Sequence, residues 1–60
     1  MTERELFNEM YETSYVLNIH RYKDEYGNPA IEFYCSDGYV DAYFDRTNIC
    51  WRYGRANGPT

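Results

Sequence analysis

The sequence predicts an α+β fold in which an N-terminal helix packs on one face of a four-stranded antiparallel meander sheet. Three observations lead to this prediction: a capped helical segment at the start, alternation of apolar and polar residues after it, and short turn signals between the alternating runs. With 60 residues the chain makes one domain at most. We expect this single α+β domain to span residues 1–53 and a flexible C-terminal tail to follow over 54–60, since GRANGPT is rich in Gly and Pro.

Residues 2–12 are predicted to form the helix. Thr2 followed by Glu5 has the pattern of a capping box, in which two side chains satisfy two backbone amides at the helix start. The apolar side that should pack on the sheet consists of Leu6, Phe7, Met10 and Tyr11. Glu5, Glu9 and Glu12 form an acidic stripe on the other side, which is either a solvated face or part of a binding surface.

The clearest β-hairpin lies in residues 31–44. Asp37-Gly38 suits a two-residue type I′ loop, because both positions tolerate positive φ and the twist of the loop matches its strands. This loop pairs apolar with apolar residues on the inner face, as Cys35 with Val40, Phe33 with Ala42 and Ile31 with Phe44. On the outer face it pairs Tyr34 with Asp41 and Glu32 with Tyr43.

Residues 15–23 are the predicted first strand. A three-residue loop, Glu25-Tyr26-Gly27 with Gly27 left-handed, fits a type I turn followed by a bulge. Counting back from that loop pairs His20 with Glu32 and Ile19 with Phe33, and it directs Tyr15, Leu17 and Ile19 toward the helix.

Residues 49–53 are the predicted last strand. The turn before it has two alternative centres, Arg46-Thr47 and Thr47-Asn48. Both alternatives place Ile49, Trp51 and Tyr53 inward and Cys50 and Arg52 outward. A three-residue loop would instead bury Arg52, which is unfavourable.

Composition and charge limit the kinds of partner that the protein can bind. Ten Asp and Glu against six Lys and Arg give a net charge of -4 and a pI near 4.7. Because phosphate binding normally needs a basic patch, this balance argues against direct binding of nucleic acid and permits a basic protein surface as partner. The sequence has neither an N-terminal apolar signal nor an apolar run long enough for a membrane span. We therefore expect a cytoplasmic protein with no membrane partner.

No catalytic, cofactor-binding or metal-binding residue is predicted. The single histidine, His20, lies on the outer face, whereas Cys35 should point into the core. Cys50 shares the outer face but sits three strands away, roughly 14 Å. His20 opposite Glu32 indicates a cross-strand charge pair, and Glu32 with Asp41 lacks the groove that a catalytic carboxylate pair needs. We therefore expect no enzymatic activity.

The outer face of the sheet is the candidate binding surface. Eight residues of the chain are tyrosines, which are large and fairly rigid contact residues with a polar tip. The predicted partner-binding residues of this face are Glu32, Tyr34, Tyr39, Asp41, Tyr43 and Asp45. The acidic helix stripe of Glu5, Glu9 and Glu12 is a second candidate surface. An open sheet face can also be merely hydrated, with tyrosines present for their β-propensity.

Three functions fit this surface. The first is a protein-binding inhibitor that docks on the basic, nucleic-acid-binding surface of a larger protein, with carboxylates standing in for phosphates. The alternative is single-stranded nucleic-acid binding by base stacking on the Tyr-rich face, against which the carboxylates argue. The third is a homo-oligomeric structural subunit, since an aromatic face would serve a homodimer equally well.

The capped helix TERELFNEMYE, followed by a short Tyr-rich antiparallel sheet with acidic pI, resembles small phage-encoded inhibitors of host machinery, including anti-CRISPR proteins. The likeness spans nearly the whole chain and is one of size, architecture and charge, without a shared motif. It implies a non-enzymatic viral protein that works in the host-cell cytoplasm. Such an inhibitor would occupy a host complex at its DNA or RNA path.

Overall fold

A computed structural model describes residues 1–56 of the chain. Its elements are, in order, α1 (Glu3–Thr13), β1 (Val16–Lys23), β2 (Pro29–Cys35), β3 (Gly38–Asp45) and β4 (Cys50–Ala56). The strands form one antiparallel sheet in the order β1-β2-β3-β4, and α1 lies on one face of the sheet and contacts β4. The predicted α+β meander is confirmed.

The helix begins at the capping box that the sequence predicts. Thr2 is the N-cap: its hydroxyl oxygen accepts the backbone N–H of Glu5 at 3.1 Å, and the Glu5 carboxylate accepts the backbone N–H of Thr2 at 2.7 Å. Leu6 and Met10 are buried, as predicted. Tyr11 differs from the prediction, because it is largely exposed and its ring stacks on that of Phe7.

The core lies between α1 and the inner face of β2, β3 and β4. Phe33 occupies its centre with no exposed surface, and the ring of Phe7 meets it edge-on at 5.2 Å between centroids. The buried side chains of this cluster are Leu6, Met10, Ile31, Phe33, Cys35, Val40, Ala42 and Trp51. These residues are apolar, so the inner faces predicted for β2 and β3 are confirmed.

The hairpin of β2 and β3 turns one residue earlier than predicted. Cys35 pairs with Gly38, so the loop is Ser36-Asp37, and the pairing built on an Asp37-Gly38 loop is wrong. Gly38 opens β3 instead, with a φ of 132° that favours glycine. Phe33 pairs with Val40 in place of Ala42, a displacement of two residues. Because side chains alternate with period two, this displacement leaves every residue on its predicted face.

The register of β1 against β2 is confirmed from Asn18 to Lys23, including His20 opposite Glu32. The turn before β2 also has the predicted form, since Gly27 has a φ of 81° and donates its N–H to the Asp24 carbonyl at 2.9 Å.

The start of β1 departs from the prediction. A β-bulge lies between Val16 and Asn18, and it reverses the alternation on its N-terminal side. Val16 therefore packs against the core together with Ile19. Leu17 is 63% exposed and Tyr15 is still more exposed, so the prediction that these two residues face the helix is wrong.

The register of β3 against β4 corresponds to the Thr47-Asn48 alternative, with Asp45 opposite Cys50. Trp51 is buried on the inner face, as predicted, and it meets Phe44 edge-on. Ile49 does not point inward: it lies in the turn with a left-handed φ of 53° and is 77% exposed. Closing the turn over residues 46–49 removes this residue from the strand.

The last strand is longer than the sequence indicates. It continues to Ala56, so residues 54–56 lie in the sheet, whereas the prediction ended the strand at Tyr53 and began a flexible tail at residue 54. Residues 57–60 of that predicted tail lie outside the described residues. Within residues 1–56, no helix has the length and apolar character needed to cross a membrane.

Replacing Ile49 by glycine should stabilise the protein by about 1 kcal/mol, because a left-handed conformation costs an L-residue roughly 1–2 kcal/mol and glycine adopts it freely. The side chain is 77% exposed, so little burial is lost. Urea unfolding measures the change. Thr47→Gly, in the same turn, is the control and should give no stabilisation. A loss of stability in Ile49→Gly would contradict the conformation described for this turn.

Candidate partner-binding face

The outer face of the sheet, opposite α1, is arranged in rows that run across the strands. Paired residues on adjacent strands point to the same side, so the registers determine each row. The first row holds Asn18, Tyr34 and Tyr39; the middle row holds His20, Glu32, Asp41 and Gly54; the third row holds Tyr22, Ala30, Tyr43 and Arg52. Rows that contain tyrosines therefore flank a charged middle row on both sides.

The middle row brings two carboxylates directly opposite each other. Glu32 pairs with Asp41, whereas the predicted register made them diagonal neighbours and placed Tyr43 opposite Glu32. Like charges at directly opposite positions destabilise a sheet. The two-residue displacement of the hairpin therefore brings two like charges opposite each other that the predicted pairing would have kept diagonal.

The two carboxylates differ in how they are satisfied. Oε1 of Glu32 lies 3.0 Å from Nδ1 of His20 and accepts the hydroxyl of Tyr34 at 2.9 Å. These hydrogen bonds, that of His20 first, hold the pKa of Glu32 below its usual value. Among the described residues, the Asp41 carboxylate accepts only the hydroxyl of Tyr22 at 3.5 Å, which is long for a hydrogen bond between oxygens. Asp41 therefore keeps most of its capacity to accept hydrogen bonds from a partner.

The aromatic side chains around this pair are held in defined positions. Tyr34 and Tyr39 stack with ring centroids 5.7 Å apart, and His20 and Tyr22 stack at 5.5 Å. Tyr22 and Tyr34 are nevertheless 36% and 40% exposed. Aromatic rings that are both fixed and exposed lose little conformational entropy when a partner covers them. The face thus combines an acidic centre with a preorganised aromatic border.

Asp45 has a structural role at the rim of this face. Its carboxylate accepts hydrogen bonds from the backbone N–H of Thr47 at 2.9 Å and of Asn48 at 3.2 Å, from the Asn48 amide at 2.9 Å and from Nε of Arg52 at 2.7 Å. The side-chain bonds of Asn48 and Arg52 lower the pKa of Asp45 to about 2. With 17% of the side chain exposed, Asp45 closes the β3–β4 turn and orients Arg52. The Asp-x-x-Asn spacing typical of such turns was a signal that sequence reasoning missed.

The acidic stripe of the helix is divided among different contacts. The Glu5 carboxylate closes the capping box, and Oε2 of Glu9 accepts the hydroxyl of Tyr53 at 3.2 Å. Glu12 is exposed. Two of the three predicted residues therefore contribute to the fold, and the outer sheet face is the stronger candidate surface.

The cysteines occupy the predicted faces. Cys35 is buried under the helix, and Cys50 is half-buried on the outer side of β4. His20 lies on β1, at the opposite edge of the sheet from Cys50. In the part of the chain that the structure describes, no three His, Cys, Asp or Glu side chains are grouped so as to hold a metal ion.

Comparison of the chain with protein-family models, with curated proteins and with solved structures found no match. The function proposed below therefore rests on the geometry of the outer face.

The stability of the protein should fall as the pH is lowered from 3.8 to about 2, since the pKa of Asp45 is about 2 when folded against an ordinary value of 3.8. The unfolded chain takes up its proton first, so the stabilisation by the ionised carboxylate is present above the ordinary pKa and is lost as the pH falls through the folded pKa. Glu32, whose pKa is also lowered, acts in the same direction. Unfolding temperatures across this range measure the effect.

Asp45→Asn should make this pH dependence shallower and leave the part due to Glu5 and Glu32, whose pKa values are both lowered. Glu12→Gln, which removes an exposed helix carboxylate, is the control and should keep the dependence of the unmodified protein. An unchanged slope in Asp45→Asn would show that the contacts of Asp45 do not form in solution.

Proposed function

We propose that the protein is a small non-enzymatic binding module that docks its outer sheet face on a basic surface of a larger protein or complex. The observation that carries this proposal is the middle row, in which Glu32 and Asp41 lie directly opposite each other between rows that contain tyrosines. The pair destabilises the isolated sheet and would be relieved by a cation.

An arginine or lysine of the partner has the chemistry that this centre accepts. Directly opposite side chains in an antiparallel pair are about 5 Å apart at Cβ, so one guanidinium can contact both carboxylates. Hydrogen bonds between ionised groups are roughly twice as strong as neutral ones, and a cation near a tyrosine ring gains a further attraction. The exposed rings of Tyr34 and Tyr43 would provide the apolar part of the contact.

The overall charge supports the same kind of partner. A chain with a net charge of -4 is steered toward a basic surface, and surfaces that bind nucleic acid are basic. As the resemblance to phage-encoded inhibitors implies, we propose that the protein acts as an inhibitor by occupying such a surface. Glu32 and Asp41 would then take the place of phosphate groups.

The geometry disfavours the other two functions. The tyrosines could stack bases, but the Glu32 and Asp41 carboxylates would repel a phosphate backbone at the centre of the face. A homodimer that joins two outer faces would bring two such carboxylate pairs together, which costs further electrostatic energy.

Replacing Tyr34 by Ser, Asp41 by Asn and Tyr43 by Ser together should abolish complex formation without unfolding the domain, because all three side chains lie on the exposed outer side. The immobilised protein is used to retain a partner from a cell lysate, and the affinity for the retained protein is then measured for both forms. We expect a loss of at least about a hundredfold, as for a cluster of hot-spot residues.

The control makes three changes of the same kinds elsewhere: Tyr11→Ser, Tyr26→Ser and Glu25→Gln. These side chains are exposed and lie on α1 or in the turn between β1 and β2, away from the outer face. The control should keep the affinity of the unmodified protein. Equal affinities for the triple variant and the unmodified protein would reject the outer face as the binding surface.

Binding to a labelled single-stranded oligothymidine at low salt should be weaker than micromolar, because the middle row repels phosphate. Fluorescence anisotropy measures it. A double variant, Glu32→Gln with Asp41→Asn, should bind the oligonucleotide better than the unmodified protein does. Micromolar binding by the unmodified protein that weakens steeply with salt would favour the nucleic-acid function instead.

A further inference from the structure

The helix covers β1 only in part. No residue of β1 is buried, although Val16 and Ile19 pack against the core, whereas the inner side of β2 buries Ile31, Phe33 and Cys35. The helix is held toward β4, where Glu9 accepts the hydroxyl of Tyr53 and the Met1 carbonyl accepts the backbone N–H of Trp51 at 2.7 Å. An open groove of about 330 Å³ remains between α1 and β1, lined by Glu3, Arg4, Phe7, Asn8 and Arg21.

The free edge of β1 borders this groove and presents main-chain groups. Asp24 donates its N–H to the Asn28 carbonyl at 3.0 Å, which fixes the alternation of hydrogen-bonded pairs along β1 and β2. By that alternation, Ile19, Arg21 and Lys23 direct their N–H and C=O groups away from β2. Oδ1 of Asn18 accepts the N–H of Ile19 at 2.9 Å, in agreement with this direction. Because β1 is the end of the sheet, no strand in the described part of the chain pairs with Arg21 and Lys23 on that side.

The same edge carries basic side chains, although the protein as a whole is acidic. β1 reads VLNIHRYK and contains no Asp or Glu. Of the six Lys and Arg in the chain, Arg21 and Lys23 lie on this strand and Arg4 lines the groove from α1. Glu3 offsets one of these charges through an ion pair with Arg21 at 3.0 Å. The Arg21 guanidinium also lies 5.1 Å from the ring centroid of Phe7, so the groove combines cations with an aromatic surface.

We propose that the edge of β1 binds an extended acidic segment of a partner protein, which adds to the sheet as a fifth strand. Main-chain hydrogen bonds to Arg21 and Lys23 hold the segment, and its alternate side chains enter the groove, where carboxylates meet Arg4 and Arg21. This surface is separate from the outer face, and its binding does not depend on the function proposed above.

Charge selects this occupant over a second copy of the chain. Pairing two β1 edges would bring Arg21 and Lys23 of one copy against the same basic residues of the other, with no carboxylate on either strand. An acidic segment meets the same cations with opposite charge. Self-association through β1 is therefore an outcome that the test must recognise.

The test titrates the isotope-labelled 60-residue chain with a short blocked peptide of alternating glutamate and valine and follows the backbone amides of the chain by NMR. We expect the peptide to bind and to shift the amides of Arg21 and Lys23 most. The same peptide with lysine in place of glutamate should bind at least about tenfold more weakly. A glutamate peptide whose backbone nitrogens are methylated should also lose binding, because it cannot donate to the strand edge.

The matched variants are Arg4→Glu and Arg55→Glu. Arg4→Glu should lower the affinity for the glutamate peptide at least about tenfold. The variant should fold normally, because an acidic residue is favourable in the first helical turn. Arg55→Glu makes the same charge change on β4, the opposite edge, and should leave the affinity unchanged. The double variant Glu32→Gln with Asp41→Asn should also bind normally, which separates this surface from the outer face.

Several results would overturn the proposal. They are failure of the glutamate peptide to bind, equal binding of the two charged peptides, or amide shifts centred on β4 or on the outer rows. Sedimentation that shows a dimer with the β1 amides protected would assign the edge to a second copy and reject the acidic segment.

Discussion

The alternation of side chains along β2 is the constraint on which the rest of the molecule depends. Ile31 and Phe33 point toward α1 and are buried, whereas Glu32 and Tyr34 point outward. Burying an apolar side chain of this size contributes about 1.5–3 kcal/mol. A slip by one residue would expose both apolar side chains and direct a carboxylate into the core. One pattern therefore specifies the core and the candidate binding face together.

This dependence explains what could be predicted from the sequence. The faces of β2 and β3 follow from the alternation of side chains along each strand. A displacement of the hairpin register by two residues does not change this alternation. The residue-by-residue pairing could not be predicted, because Phe33 lies opposite an apolar residue in either register. In the structure its partner is Val40, which is larger than Ala42. The direct opposition of Glu32 and Asp41 follows from that detail, so the central feature of the candidate site was beyond sequence reasoning.

The free edge of β1 and the groove beside it could not be predicted from the sequence either, for a different reason. Local periodicity cannot distinguish a bulge at Leu17 from a regular strand, because apolar residues lie on both sides of the position. The position of the helix depends on contacts between segments far apart in sequence, such as Met1 with Trp51 and Glu9 with Tyr53. The capping box, in contrast, is formed by Thr2 and Glu5 alone, and a local pattern of that kind can be predicted.

Under the function proposed above, the opposed carboxylates would serve binding rather than folding. A domain of this size has only about 3–5 kcal/mol of stability, so a like-charge pair at the centre of an open sheet is a substantial cost. A threonine or lysine opposite Glu32 would remove that cost while keeping strand propensity. His20 and Tyr34 form hydrogen bonds with Glu32, whereas Asp41 has a single long contact within residues 1–56. In the proposed complex, a cation between the two carboxylates would offset their repulsion.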